Sequence, residues 1–171
     1  EAAVVAALAD LQMKIVPEEG GQRIFLNGRD VTAEIRTAEI GKGASTVAAY
    51  RQVRARMVEL QQEMAREHSV IMDGRDIGTV VLPDAEVKIY LDAGVEERAR
   101  RRVGELQEKG ATADFEEIKK MILERDYNDM HRANSPLKRA ADAVSLDSTG
   151  MGIDAVLQAI LDIVAERVKE K

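Results

Sequence analysis

Apolar residues recur along this chain in two rhythms. Val4, Leu8 and Leu11 fall three and four apart, as do Val53, Met57, Leu60 and Met64, and Val95, Ala99, Val103 and Leu106. That spacing puts each set on one helical face and predicts helices over 1–11, from Val47 to about Glu67, and after residue 94. A fourth helix is expected from Asp114 to His131, and a fifth carries Ile153, Val156, Ile160, Val164 and Val168. Between them lie short apolar runs, Val70-Ile71-Met72, Val87 to Leu91 and Ala143 to Leu146, and each ends in an aspartate: Asp73, Asp92 or Asp147. Strands alternating with helices predict an α/β fold whose mostly parallel sheet has helices on both faces. Asp92 and Asp147 read as helix caps rather than ligands.

One stretch breaks the alternation. Met13 to Val16, Gln22 to Leu26 and Arg29 to Val31 are short β-like runs, and Asn27-Gly28 between two of them is a strong hairpin signal. Residues 13 to 32 are therefore expected to form a small antiparallel meander inserted into the α/β pattern, with the core resuming near residue 68. Lys109-Gly110 marks a turn, and Pro136 after Asn134-Ser135 ends the preceding helix.

Composition narrows the function classes. The 171 residues are 45% hydrophobic and 33% charged, which excludes global disorder. Neither a membrane-length apolar run nor a signal-peptide pattern occurs, and there is no cysteine, so a cytoplasmic protein without disulfides is expected. A net charge of −6 and 3% aromatics argue against a nucleic-acid surface. Arginine is nonetheless concentrated at Arg98, Arg100, Arg101 and Arg102, and at Arg125 and Arg132 near Asp126 and Asp129. Such clusters in an acidic chain suit a small anionic ligand. His68 and His131 are too isolated for a metal site, and each is assigned a surface role.

The densest chemistry is Asp73-Gly74-Arg75-Asp76-Ile77-Gly78-Thr79, directly after an apolar run. Ligands of open parallel sheets gather outside the carboxyl ends of the strands, so this run reads as a polar-ligand site, or as no more than a polar turn. Arg125, Asp129 and Arg132 share one helical stripe, which also reads as a solvated face with a modest ion pair.

Together these residues resemble a known family. Val70 to Ala85 is similar to the central signature of bacterial cytidylate kinases. The likeness extends to Leu26-Asn27-Gly28-Arg29-Asp30-Val31-Thr32, Ala44 to Ala49 with Val53-Arg54, and Glu97 to Arg102. It continues through Glu124-Arg125-Asp126, Asp129, Arg132, Ser135-Pro136-Leu137, Ala141-Asp142-Ala143 and Leu146 to Thr149. The resemblance implies a P-loop kinase core over 1–12 and 67–171 with a parallel sheet flanked by helices and a short lid at about 100–114. Residues 13–66 would be the monophosphate-binding insert.

It also implies ATP- and Mg2+-dependent phosphorylation of CMP or dCMP by a monomer, with small nucleotides as partners and neither nucleic acid nor membrane. A non-catalytic nucleotide-binding remnant, or a kinase for another pyrimidine monophosphate, are the competing readings. The implied roles are Asp76 accepting from the cytosine amine, with Ser45 and Arg54 as donors to the base. Arg75 and Arg132 would bind the acceptor phosphate, and Arg125 and Asp129 the sugar. Arg98, Arg101 and Arg102 would close over ATP phosphates. Asp73 would buttress Arg75 or touch the metal indirectly, and no residue is assigned as a direct metal ligand. Ser45 also reads as a helix N-cap.

One departure stands out, because the family opens with a strand and a Walker A loop and this sequence contains neither. Ile40-Gly41-Lys42-Gly43-Ala44-Ser45-Thr46 imitates the loop, but Gly43 stands where Ser or Thr should follow the lysine and Arg36 where the first glycine belongs. Glu1 is therefore expected to correspond to a point a few dozen residues into the family's pattern. A polypeptide of these 171 residues alone is expected to be inactive.

Overall fold

The computed structural model describes residues 2–169, and the side chains of Ala38, Lys42 and Ser45 lie outside that description. The chain divides into two compact units, Glu1–Ile71 and Met72–Lys171.

In the first unit, helix α1 (Ala2–Ala6) packs against helix α3 (Arg51–Glu67). The expected meander is present as β1 (Met13–Glu18), β2 (Gly21–Leu26) and β3 (Arg29–Asp30), antiparallel in sequence order, with Ile15 opposite Ile24. Asn27 at φ 50° and Gly28 at φ 80° make the tight turn that their sequence announced, since both central residues need a left-handed backbone. Thr32 locks the next turn, its Oγ accepting from Ile24 N at 2.8 Å and donating to Asp30 at 2.6 Å.

The following segment departs from expectation. A short 3-10 turn (Glu34–Arg36) leads into helix α2 (Ala38–Val47), which lies before the expected helix, and the helix expected from Val47 begins at Arg51 after a break at residues 48–50. Thr37 rather than Ser45 caps α2, its hydroxyl accepting from Ile40 N at 3.2 Å. The Walker-like run from Ile40 to Thr46 thus lies inside a helix and is not a phosphate-cradling loop. On α3, Val53 and Leu60 are buried as the periodicity requires.

The second unit contains a parallel strand pair, β4 (Ile89–Asp92) and β5 (Val144–Asp147), with Asp92 opposite Asp147 at their carboxyl ends. Helices α4 (Val95–Glu108) and α5 (Phe115–His131) form the crossover and pack on each other, and α6 (Ile153–Lys169) follows β5. Asp114 caps α5, its side chain accepting from Glu117 N at 2.9 Å. Asp92 and Asp147 are not helix caps as expected. Gly94 precedes α4, while Asp92 accepts from Ala93 N, and Asp147 accepts from both Thr149 N and Thr149 Oγ in a local turn. Each carboxylate is instead taken up by its own local turn, and Gly94 holds the N-cap position of α4.

Val70-Ile71-Met72 is not a strand. A strand exists only when a neighbour completes its backbone hydrogen bonds, and among the described residues none pairs with this run, leaving Ile71 fully exposed. No described helix is long and apolar enough to cross a membrane.

Candidate functional site

The run after Met72 folds as a tight turn followed by a single π-helical turn, Ile77–Val81. Its centre is Asp76, whose backbone carbonyl accepts from Thr79, Val80 and Val81 N–H at 2.9–3.3 Å. Val81 is buried beneath it, and Asp76 itself is only 4% exposed. π-turns recur at functional sites because the extra residue re-aims side chains. A Cβ on Gly74 would stand 2.9 Å from Ile77 Cγ1, so any larger residue there forces the Ile77 side chain or the turn to shift.

Helix α5 brings the second half. Arg75 Nε donates to Asp129 Oδ2 at 2.7 Å, across 54 residues of sequence, and Arg125 Nε lies 3.8 Å from the same oxygen. Arg132 Nη2 is 3.9 Å from Asp76 Oδ1, an ion pair too long for a hydrogen bond. Arg132 Nε instead donates to the Ser135 carbonyl at 2.6 Å. Its Nη2 is buried without a hydrogen-bond partner among the described residues. Two arginines, two carboxylates and a third arginine thus converge within one unit. Asp73 is exposed at the start of the turn, and the carboxylate that Arg75 engages is Asp129.

The arginines of α4 are differently employed. Arg98 forms a two-pronged pair with Asp126 at 3.0 and 2.8 Å and donates from Nε to Ala93 O at 2.9 Å. The Asp126 hydrogen bond raises the guanidinium pKa above its already high ordinary value, against the desolvation that lowers it. Arg101 donates to the Ser148 carbonyl at 2.6 Å, to Ser148 Oγ at 3.3 Å, to Met151 O at 3.2 Å and to Glu97 at 3.0 Å. It therefore clasps the β5–α6 loop to α4. Arg102 makes an exposed pair with Glu105 at 2.8 Å.

Ser45 and Arg54 belong to the first unit. The backbone of Ser45 lies in α2, but its side chain is outside the described residues. Arg54 is half-buried on α3. Sequence reasoning did not single out Ser135 or Ser148 for any role. Ser135 drew notice only as part of the matching Ser135-Pro136-Leu137 run and as the residue before Pro136, which reads as a helix stop.

A parallel α/β unit with flanking helices, together with a small antiparallel sheet elsewhere in the chain, is the mixed α/β architecture of the P-loop kinase class. The profile of the family described as Cytidylate kinase matches residues 1–166. The chain is 49% identical over 169 residues to a cytidylate kinase of Lactobacillus gasseri, covering 99% of this chain and 74% of that protein. It is 53% identical over 152 residues to the cytidylate kinase of Lactobacillus johnsonii, covering 89% of this chain and 66% of that one. The cytidylate kinase of Pasteurella multocida is 42% identical over all 171 residues, which span 75% of it. The chain belongs to the cytidylate kinase family, and it spans between 66% and 75% of the length of these relatives.

Proposed function

We propose that this protein transfers the γ-phosphoryl group of ATP to CMP or dCMP, giving ADP and CDP or dCDP, and that the site above is its acceptor half. The observation that carries the reading is the convergence of Arg75, Asp76, Asp129 and Arg132, with the Asp76 carboxylate buried.

Phosphoryl transfer passes through a loose transition state, so the protein's work is positioning and charge stabilisation. Arg75 and Arg132 are always charged and can engage phosphate oxygens, so they hold the acceptor phosphate. Asp129 and Arg125 take the sugar. Asp129 holds Arg75 at 2.7 Å, so the acceptor phosphate competes with this carboxylate for the guanidinium. Asp76 accepts from the exocyclic amine of cytosine, whereas uracil sets a carbonyl against the carboxylate. Ser45 and Arg54 are assigned as donors to the ring N3 and carbonyl O2.

On the donor side Arg98, Arg101 and Arg102 are assigned to ATP phosphates. Arg101 must release Ser148 and Met151 to reach one, and Arg98 must leave Asp126, so Arg102 is the readiest of the three. Among the described residues no group of three or more carboxylates or imidazoles could hold a metal ion. Mg2+ is assigned to the ATP substrate, with Asp73 at most an indirect contact. The protein is taken to act as a monomer in the cytoplasm, where its nucleotide substrates are. A coupled assay of ADP release with CMP, dCMP and UMP tests the reading. Turnover with CMP and dCMP well above UMP supports it, and turnover with UMP alone refutes it.

A further inference from the structure

After α5 the chain reverses through residues 132–137, and one residue in that reversal is held in an unfavourable backbone. Ser135 has φ 50°, the left-handed region in which a Cβ crowds the following carbonyl. Pro136 follows it, and a proline restricts the residue before it towards extended backbone. A non-glycine residue disfavoured on both counts persists only where its surroundings over-determine it, and such residues cluster at functional sites.

The surroundings are visible. Arg132 N bonds to Asn128 O at 3.0 Å, closing α5, and Leu137 N bonds back to Asp129 O at 2.8 Å. Between these two ties the left-handed turn brings the Ser135 carbonyl onto Arg132 Nε at 2.6 Å. That bond uses one edge of the guanidinium, while the buried Nη2 has no hydrogen-bond partner among the described residues and stands 3.9 Å from Asp76. A buried guanidinium N–H without an acceptor is costly, and an anion's oxygen is the acceptor that suits it. The same loop thus fixes both Asp129, through its carbonyl, and Arg132, through its side chain.

We propose that Ser135 is a positioning residue for the acceptor phosphate, its left-handed backbone holding Arg132 so that Nη2 meets a phosphate oxygen. The proposal rests on the reading of Arg132 as a phosphate ligand, and its test separates the two. CMP and cytidine affinities are measured by calorimetry for wild type, S135V, S135G, R132A and R132A/S135V. Valine resists the left-handed region because it is β-branched, whereas glycine enters it without strain.

Loss of one well-placed bond to a charged group should weaken CMP binding by S135V about tenfold, with cytidine, which lacks the phosphate, changed by less than about twofold. S135G should stay within about threefold of wild type for CMP, and S135V should add nothing further once Arg132 is gone. If S135V does not fold, S135T carries the same comparison with a smaller loss, roughly threefold, because threonine is β-branched like valine but keeps the hydroxyl. Unchanged CMP affinity in S135V, equal weakening of CMP and cytidine, or additive effects in the double variant would overturn the role of Ser135. CMP affinity untouched by R132A would instead overturn the reading of Arg132.

Discussion

Replacing Asp129 by asparagine separates a structural from a ligand-binding role at the shared carboxylate. Its ion pair with Arg75 is short, 2.7 Å, but the two side chains are 18% and 41% exposed, so solvent screens it. Pairs of this kind contribute up to about 1 kcal/mol. For a chain of this size that loss lowers Tm by about 2–4 °C. A carboxylate accepting from a sugar hydroxyl contributes more, about 1.5–3 kcal/mol. Freeing Arg75 for the phosphate recovers at most the pair's own ~1 kcal/mol. The net loss in kcat/KM for CMP is therefore about 0.5–3 kcal/mol, or roughly two- to 150-fold. Steady-state kinetics with CMP varied, beside a thermal melt, reads both effects. A Tm drop beyond ~10 °C with unchanged kcat/KM would show that Asp129 serves the fold alone and refute the argument.

Three further outcomes follow from the geometry. Gly74→Ala places a Cβ 2.9 Å from Ile77 Cγ1. The forced shift should cost about 1–3 kcal/mol in a thermal melt and weaken CMP binding through displacement of the Asp76 turn. Arg101→Ala leaves the Met151 carbonyl without its donor and the Ser148 carbonyl with Met151 N alone, at a residue, Ser148, that is 3% exposed. It should lose about 1–3 kcal/mol of stability, whereas Arg102→Ala stays within about 0.5 kcal/mol because its partner Glu105 is an exposed neighbour. Equal melts for the two variants would contradict the clasp. Finally, Thr149 hydrogen bonds hold the Asp147 carboxyl below the ordinary carboxylate range, and the Lys88 ammonium does the same for Asp142. A depressed folded-state pKa stabilises above the unfolded value, near 4, and that contribution disappears as pH falls through the lower folded value. Melts between about pH 7 and pH 3 should fall in acid, less steeply for Asp147→Asn.

Much of this was legible in the sequence because it rests on local chemistry. Asn27-Gly28 dictates a turn by the left-handed backbone both residues adopt, and the spacing of Val53 and Leu60 dictates which face of α3 is buried. Helix α2 was not legible, since Gly41 and Gly43 argue against a helix that the Thr37 cap nonetheless starts. Val70-Ile71-Met72 has the composition of a strand, but a strand is a property of a pair and composition cannot supply the partner. In the site, the residue types at 75, 76, 129 and 132 were legible. Their pairing was not, because Arg75 and Asp129 lie 54 residues apart and only the fold brings them to 2.7 Å. The commitment of Arg101 to Ser148 and the strain at Ser135 are likewise products of tertiary structure.

The central claim is that the buried carboxylate of Asp76 selects a cytosine nucleotide for phosphorylation. Calorimetric titration of CMP and UMP against wild type and Asp76→Asn tests it most directly. Wild type should favour CMP, and the amide, which can donate to the uracil carbonyl, should shrink the CMP-to-UMP affinity ratio about tenfold or more. A ratio unchanged by the substitution, in a variant that melts like wild type, would contradict the claim.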